Sequence, residues 1–204
     1  MNIGFKEQLK NSYDENAKQR DKANLDTWKQ EELHRFLSYI QPVKQIRIVD
    51  LGSGTGQQSL YMKKHGLDVT CIDLSSAMVQ ICLQKGLTAY QMDFYQLAFE
   101  DDSFDGIWAM NTLLHVPKGD FVNVLREIQR VMKSGSLFYL GVYGGYNSEG
   151  VWEEDSYSPK RFFSFYDEIS MKEKVTQVFE LLDFRTIHLE GMKLNYQGMI
   201  LKKN

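Results

Sequence analysis

Cysteine is scarce in this chain, which contains only Cys71 and Cys82. Neither belongs to a Cys-x-x-Cys pair and no cluster of histidines accompanies them, so we expect two reduced core residues rather than a disulfide or a metal site. The acidic run at 100–102 is sequential, which predicts a solvated turn and no metal ligand set. Unpaired thiols of this kind favour a reducing compartment.

Long apolar runs and an excess of positive charge are also missing. No stretch approaches the roughly 18 apolar residues of a membrane span, and residues 1–10 lack the apolar core and cleavage site of a signal peptide. The net charge is −3, which leaves no electrostatic footprint for nucleic acid or an anionic membrane. We therefore expect a cytoplasmic protein, a monomer or homodimer, whose partner is a small molecule.

The chain has ample material for a self-sufficient core. Its 204 residues, 43% of them hydrophobic, suit a single domain. Alternating helix and strand signals predict an α/β fold: a doubly wound, Rossmann-like sheet of seven mostly parallel strands that ends in an antiparallel hairpin. We divide it into an N-terminal helical cap (1–41), a core (45–143), a lid (144–165) and a C-terminal helix with two strands (166–204).

The core begins with a strand and a glycine turn. Ile48 to Leu51 supply the apolar residues of a short buried strand, and Gly52, Gly54 and Gly56 let the backbone turn sharply and approach a ligand. A dinucleotide-binding turn would need another glycine where Gln57 stands. A nicotinamide-dependent dehydrogenase is therefore disfavoured, although it would use the same first strand.

A second strand, 67–73, ends in an acid. In doubly wound sheets an acid at this position faces the ribose hydroxyls, because a carboxylate accepts both hydrogen bonds of a vicinal diol. Asp73 is placed for this role; alternatively it caps the helix that starts near Ser75. Leu74 and Met78 follow, where they either flank an adenine ring or belong to the core.

Further elements follow in alternation. We expect helices at 57–65, 75–85 and from Pro117 onward, and strands at 88–92, 104–110 and 137–143. A last helix through Leu182 precedes two strands, 184–190 and 193–202, around Gly191. Before the core, Leu25 to Ile40 have the spacing of an amphipathic helix that Pro42 ends.

Several of these segments resemble the sequence motifs of one protein family. The glycine turn with Asp50, the pair Asp93 and Phe94 after the third strand, and the passage 97–108 resemble the class I S-adenosylmethionine-dependent methyltransferases of small-molecule type. The helix phrase 125–135 is similar to theirs as well. The chain departs from the family at Ala98 and Ser134, where proline is usual.

The resemblance implies a cofactor and positions for it. S-adenosylmethionine would lie across the carboxyl edge of the sheet and leave as S-adenosylhomocysteine. Asp50 would neutralise its amino group directly or through water, Asp93 and Phe94 would hold the adenine, and Asn111 would form the wall near the sulfonium. Tyr13 stands in a Tyr-Asp-x-x-Ala element whose tyrosine closes over the cofactor in many relatives, unless it is merely a surface aromatic.

The acceptor side is less defined. His115 follows the fourth strand, where a neutral imidazole accepts a proton or positions an acceptor, or else hydrogen-bonds a backbone carbonyl. The glycine-, acid- and aromatic-rich stretch 144–160 is longer than an ordinary connection, so we interpret it as a substrate-selecting segment, or as a loop packed by its own aromatics. Its candidate lining residues are Trp152, Tyr157, Arg161 and Phe163.

Arg161 has two possible partners. Its guanidinium would bind a substrate carboxylate or phosphate, or pair with the acidic residues Glu153, Glu154 or Asp155. Together, the predicted cofactor-binding residues are Asp50, Gly52, Ser53, Gly54, Gly56, Asp73, Leu74, Met78, Asp93, Phe94 and Asn111. The predicted catalytic residues are Tyr13, His115, Tyr143 and Arg161.

The predicted activity is transfer of a methyl group from S-adenosylmethionine to a small molecule. The sulfonium methyl is already electrophilic, so such a protein mainly orients the acceptor and excludes water. A dedicated base is optional, and for this reason a non-catalytic domain that binds the cofactor stays open as the alternative. The absence of an Asn-Pro-Pro-Tyr motif after the fourth strand disfavours methylation of amino groups in DNA or glutamine.

Overall fold

The computed structural model describes residues 3–40, 46–191 and 193–204. Nine strands are present in these ranges: β1 Arg47–Leu51, β2 Asp68–Asp73, β3 Thr88–Gln91, β4 Phe104–Met110, β5 Met132–Gly144, β6 Ser148–Val151, β7 Phe162–Phe165, β8 Glu180–His188 and β9 Asn195–Lys202. The helices are α1 Ile3–Asp21, α2 Thr27–Tyr39, α3 Gln57–Lys64, α4 Ser76–Gln84, α5 Phe121–Val131 and α6 Glu168–Val175, with a short 3-10 helix at Leu113–His115. None of these helices combines the length and apolar character that a membrane crossing requires.

Seven of the strands form the central sheet, in the order β3-β2-β1-β4-β5-β9-β8. The first five positions pair in parallel, whereas β9 runs antiparallel to both β5 and β8. The order reverses beside β1, which is the point where ligands bind in open α/β sheets. The predicted fold class is confirmed.

Both faces of the sheet are covered by helices. Successive residues of β1 point to opposite faces: Ile48 packs with Leu33 and Phe36 of α2, whereas Val49 and Leu51 pack on the α5 side. Helix α5 buries one face at helical spacing, through Phe121, Val124, Leu125, Ile128 and Val131. The spacing of apolar residues in the sequence thus determines which helices cover each face of the sheet. These two helical layers support the strands that end at the carboxyl edge.

The N-terminal region differs from the prediction in where its second helix begins, since the amphipathic spacing placed Leu25 within that helix. Helix α2 begins at Thr27, and Leu25 lies in the connection from α1, where it lines a cavity. Asp26 takes the position before α2, and its carboxylate pairs with Lys29 at 2.8 Å. Pro42, which we expect to end this helix, lies outside the described residues.

The last third of the chain also departs from the predicted boundaries. Helix α6 ends at Val175, and residues through Leu182 do not continue it, because Glu180 already pairs with Lys202 of β9. Leu182 lies where the β8 register shifts, between Leu181 and Asp183. The antiparallel hairpin is confirmed. The first residues of β8 have apolar residues at helical spacing, but they form a strand because they pair with β9.

Candidate functional site

A cavity of about 390 Å³ opens at the carboxyl edge of the sheet, within the size range of small-molecule sites. Residues that follow β1, β2, β3 and β4 form one wall, and α1 with its connection to α2 forms the other. On the sheet side the lining includes Gly52, Ser53, Gly54, Asp73, Leu74, Asp93, Phe94, Asn111, Thr112 and His115. On the helical side it includes Lys6, Leu9, Tyr13, Gln19, Arg20, Asn24, Leu25 and Lys29.

The three glycines of the turn have different tasks. All have positive φ, at 68° for Gly52, 54° for Gly54 and 74° for Gly56. A Cβ on Gly52 would lie 2.3 Å from Thr112 Oγ1, and one on Gly56 would lie 2.9 Å from Cys82 Sγ. Only Gly54 faces open space. Close approach at Gly52 and Gly56 is therefore to the protein's own side chains, and Gly56 does not line the cavity.

Asp73 ties the turn to the next strand. Its Oδ2 accepts the Gly54 N–H at 2.9 Å and its Oδ1 accepts the Ser75 N–H at 2.8 Å. The cap of α4 is Ser75, whose hydroxyl oxygen accepts the Met78 N–H, so the alternative that Asp73 caps this helix is wrong. Burial raises the pKa of the Asp73 carboxyl, and each of its oxygens keeps capacity for another donor.

Asp50 lies beneath the turn and not on the cavity wall. Its carboxyl is almost completely buried, and Ser59 Oγ donates to its Oδ2 at 2.5 Å. This burial raises its pKa to about 7. Because the side chain points to α3, a direct contact with the cofactor amino group is not available in this arrangement, and the predicted neutralisation through water stays a prediction.

The burial of Asp50 predicts a stability that depends on pH. Because the folded protein binds the Asp50 proton more tightly than the unfolded chain, the free energy of unfolding falls as pH rises from about 4 to about 7. Asp50→Asn keeps an acceptor for Ser59 and removes this slope, so it becomes the more stable protein above pH 7, by up to about 4 kcal/mol. Urea unfolding at pH 5 and pH 8 measures the difference; Asp68→Asn, exposed on β2, is the control. Equal slopes in parent and variant would contradict the assignment.

The residues after β3 form the far end of the cavity. Asp93, Phe94 and Leu74 line it, whereas Met78 is fully buried and belongs to the core. Asp93 Oδ2 pairs with Lys6 Nζ of α1 at 2.5 Å, a partner that the sequence pattern did not indicate. Because an amine from the protein already binds this carboxylate, the position suits a nitrogen donor.

Asn111 presents an unsatisfied acceptor. It adopts a left-handed backbone, with φ 58°, a conformation that asparagine tolerates better than most residues with a side chain. Its Oδ1 is buried and accepts no hydrogen bond from the described residues. Buried polar atoms without a partner are uncommon in folded proteins, and a bound ligand is one explanation for them. A ligand that carries an N–H or ammonium group therefore fits the wall at Asn111.

Tyr13 and His115 both line the cavity and are hydrogen-bonded to each other. His115 Nδ1 lies 2.7 Å from the Phe162 carbonyl oxygen, which can only accept, so Nδ1 carries the proton. Burial lowers the pKa of His115 to about 3, and the ring is neutral at pH 7. Its Nε2 therefore accepts from the Tyr13 hydroxyl at 2.7 Å. The structure thus joins two predicted catalytic residues. The hydrogen bond from His115 to a backbone carbonyl is observed, and its role toward a methyl acceptor stays a prediction.

Arg161 and Tyr143 lie behind this pair. The Arg161 guanidinium binds the buried Asp155 with both prongs, at 2.9 Å and 2.7 Å, and donates to Tyr13 Oη at 3.0 Å. Neither Arg161 nor Tyr143 lines the cavity. Tyr143 packs instead against the rings of Trp28 and Tyr196. Of the two expectations for Arg161, pairing with an acidic neighbour is the one observed.

The segment 144–165 contributes less than expected to the cavity. Of these residues, all of which the structure describes, Tyr157 alone lines it. Strands β6 and β7 pair within the segment, and Trp152 packs edge-on against Phe163 and Phe165. The aromatic excess is thus mostly internal packing, because a short two-stranded sheet needs its own apolar layer.

Helix α1, part of the N-terminal helical cap expected from the sequence, forms the wall opposite the sheet, whereas the cations that it brings to the cavity were not predicted. Asp14 Oδ1 accepts from Ser75 Oγ at 2.5 Å and from the Ala77 N–H at 3.0 Å, which holds the helix over the edge of the sheet. The cations Lys6, Arg20 and Lys29 line the cavity from this side. The available signal was a long helix with little apolar content, which is typical of a helix that covers a polar site.

Comparisons with known proteins agree with this geometry. Residues 49–140 match a family described as a methyltransferase domain. Over 101 residues the chain is 35% identical to the sarcosine/dimethylglycine N-methyltransferase of Aphanothece halophytica, covering 45% of this chain and 36% of that protein. Over another 101 it is 34% identical to a ubiquinone biosynthesis O-methyltransferase of Xanthomonas oryzae pv. oryzae, covering 46% and 41%. The chain thus spans well under half the length of these relatives.

A solved structure matches over nearly the whole chain. It is the 1,6-didemethyltoxoflavin-N1-methyltransferase of Burkholderia thailandensis, with 1,6-didemethyltoxoflavin and S-adenosylhomocysteine bound. The TM-score is 0.76 over 98% of this chain and 87% of that one, at 17% sequence identity. At this identity the likeness concerns the fold.

Proposed function

Because the chain belongs to the class I S-adenosylmethionine-dependent methyltransferases, we propose that it transfers the methyl group of S-adenosylmethionine to a small-molecule acceptor. One observation carries the proposal. A single cavity brings the glycine turn, Asp73, Asp93 and His115 on the sheet side against Tyr13 of α1, whose hydroxyl donates to His115 Nε2.

The sheet edge has the donor and acceptor groups that the cofactor needs. Asp73 would accept the ribose hydroxyls and Asp93 the adenine amine, while the open side of Gly54 leaves room for the methionine portion. The unsatisfied Asn111 Oδ1 suits the amino group of that portion. Bound there, the cofactor supplies a methyl group on an electrophilic sulfonium.

The protein's own contribution is orientation and shielding. Helix α1 covers the cavity from the solvent side, which favours a dry site in which an acceptor is held in line. Tyr13 Oη, which donates to neutral His115 Nε2, would position the acceptor atom. Because burial lowers the pKa of His115 to about 3, the ring orients the tyrosine hydroxyl and does not take up a proton at pH 7. Residues 144–165, which we predicted as a lid, would act mainly through Tyr157.

The acceptor atom is not fixed by the relatives, whose names include N- and O-methyltransferases. We propose a free metabolite as acceptor and the cytoplasm as location. The net charge of −3 and the two free, buried cysteines support this proposal. A monomer or homodimer would suffice, since one chain supplies both walls of the cavity.

Turnover of labelled cofactor tests the function. The protein is incubated with methyl-labelled S-adenosylmethionine and a metabolite extract, and label is followed into products by mass spectrometry. We expect labelled small molecules and S-adenosylhomocysteine in equal amounts. Tyr13→Phe, which breaks the hydrogen bond to His115, should lower kcat by about tenfold to a hundredfold; Tyr90→Phe, exposed on β3, is the matched control. Tight binding of S-adenosylhomocysteine without any labelled product would favour the non-catalytic alternative.

A further inference from the structure

Two arginines and two tyrosines alternate at one end of the cavity. The Arg161 guanidinium carbon lies 3.8 Å from the centre of the Tyr157 ring and 5.2 Å from that of Tyr13. The Arg20 guanidinium carbon lies 5.4 Å from the Tyr13 ring centre, and Arg20 Nη1 donates to Tyr157 Oη at 2.9 Å. We call Arg20, Tyr13, Tyr157 and Arg161 the cationic wall.

This wall holds more positive than negative charge. Asp155 is the carboxylate that pairs with Arg161, and it is buried behind the tyrosines. Arg20 has no carboxylate within 4.0 Å among the residues that the structure describes. The cationic wall itself therefore has an excess of one positive charge, which is located on Arg20. Outside the wall, burial raises the pKa of the Asp73 carboxyl and Arg20 is close enough for its charge to act against that rise, but the two residues form no ion pair within 4.0 Å in the described residues.

The other two cations of the cavity are neutralised. Lys6 pairs with Asp93 at 2.5 Å and Lys29 pairs with Asp26 at 2.8 Å. Arg20 differs from both, since its one polar partner in the described residues is a neutral hydroxyl. The Arg20 side chain is exposed, and its guanidinium has N–H groups that make no hydrogen bond to the described residues. An anion can therefore bind the guanidinium without breaking an existing ion pair.

The neighbours of Arg20 place it on the acceptor side. Its ring contact is Tyr13, which hydrogen-bonds His115, and its hydrogen bond goes to Tyr157 of the segment after β5. The residues assigned to the cofactor, Asp73 and Asp93, have other donors. An anion at Arg20 would thus lie beside the Tyr13–His115 pair.

Resting on the proposed function, we propose that the methyl acceptor carries a carboxylate and that Arg20, assisted by the Tyr157 hydroxyl, binds it. A planar guanidinium matches a carboxylate with two parallel hydrogen bonds. A single excess charge balances one monoanion, whereas a phosphate monoester carries close to two negative charges at pH 7. Arg161, held by Asp155, fixes the rings between which Arg20 is positioned.

The test compares three variants with the parent protein. Arg20→Gln removes the charge, Arg20→Lys keeps it without the fork, and Lys18→Gln removes a neighbouring charge of α1 that has no part in the cationic wall. Labelled products from the metabolite extract are identified first. We expect an acceptor with a carboxylate, a KM raised about tenfold to a hundredfold by Arg20→Gln, a smaller increase for Arg20→Lys, and no change for Lys18→Gln. Neutral or cationic acceptors would overturn the proposal.

Two binding measurements separate the acceptor from the cofactor. S-adenosylhomocysteine and 5′-methylthioadenosine, which lacks the amino acid portion, are titrated into parent and Arg20→Gln. We expect unchanged affinity for both; weaker binding of S-adenosylhomocysteine alone would assign Arg20 to the cofactor carboxylate and overturn the proposal.

With S-adenosylhomocysteine bound, benzoate should raise the Tm of the parent but not of Arg20→Gln, and benzamide should raise the Tm of neither protein. Equal effects of benzoate on both proteins would overturn it, even if no turnover is found.

Discussion

Asp73→Asn should bind S-adenosylhomocysteine about 10- to 150-fold more weakly than the parent protein. Asparagine has one acceptor oxygen, so it cannot both hold the Gly54 and Ser75 N–H groups, at 2.9 Å and 2.8 Å, and accept two ribose hydroxyls. The loss of a charge-assisted hydrogen bond amounts to about 1.5–3 kcal/mol. Isothermal titration calorimetry at pH 7.5 measures the affinity.

Asp68→Asn is the matched control, because Asp68 begins the same strand and is exposed. It should bind the ligand like the parent. Urea unfolding of both variants without ligand checks that the weaker binding of Asp73→Asn is not a loss of folded protein. Parent-like affinity in a folded Asp73→Asn would remove the ribose assignment and the placement of the cofactor along β2.

Gly52→Ala should lower the free energy of unfolding by about 2 to 5 kcal/mol. An added Cβ would lie 2.3 Å from Thr112 Oγ1 and 2.5 Å from its Cγ2. Thr112 is held in place because its hydroxyl donates to the Leu51 carbonyl at 2.8 Å. The left-handed backbone at φ 68° adds about 1–2 kcal/mol, and the displaced threonine adds about 1–3 kcal/mol.

Three further variants divide this effect into its causes. Gly54→Ala has the same backbone strain, at φ 54°, but no atom within 4 Å of the new Cβ, so we expect a loss of about 1–2 kcal/mol. Gly119→Ala, in open space without positive φ, should stay within about 0.5 kcal/mol. In a Thr112→Ala background, Gly52→Ala should cost less than in the parent. Equal losses for Gly52→Ala and Gly54→Ala would rule out the clash.

Helices and strands that are marked by local sequence signals have nearly the boundaries that the sequence predicts. Strand β4 begins and ends where the apolar run of 104–110 predicts, and α3 and α4 end beside glycines. The resemblance of residues 97–108 to the family's motif extends this to the fold class, a sheet of seven mostly parallel strands. These features depend on neighbouring residues, whose spacing and turn chemistry are visible in the chain.

The boundaries of helices and strands that depend on a partner far away in the chain are not predicted by the sequence. The helical spacing up to Leu182 is real, but Glu180 pairs with Lys202 and the sheet gains its edge strand instead. In the same way, the aromatic residues of 144–165 look like a ligand surface until β6 and β7 pair and bury Phe163 and Phe165. A single sequence does not show which side chains a strand will meet.

The functional site likewise has one half that the sequence predicts and one half that depends on tertiary contacts. The cofactor half, with the glycine turn, Asp73 and Asp93, is set by strand ends and turns, so the amino-acid order is enough to predict that these groups share one edge of the sheet. The acceptor half is made by α1, which is docked through Asp14 and brings Tyr13 to His115 and Arg20 to Tyr157. Those pairs are separated by 102 and 137 residues. Their contacts arise from packing of a polar helix over the folded sheet. The sequence indicates the helix and its Tyr13 element, but not the residues that they meet.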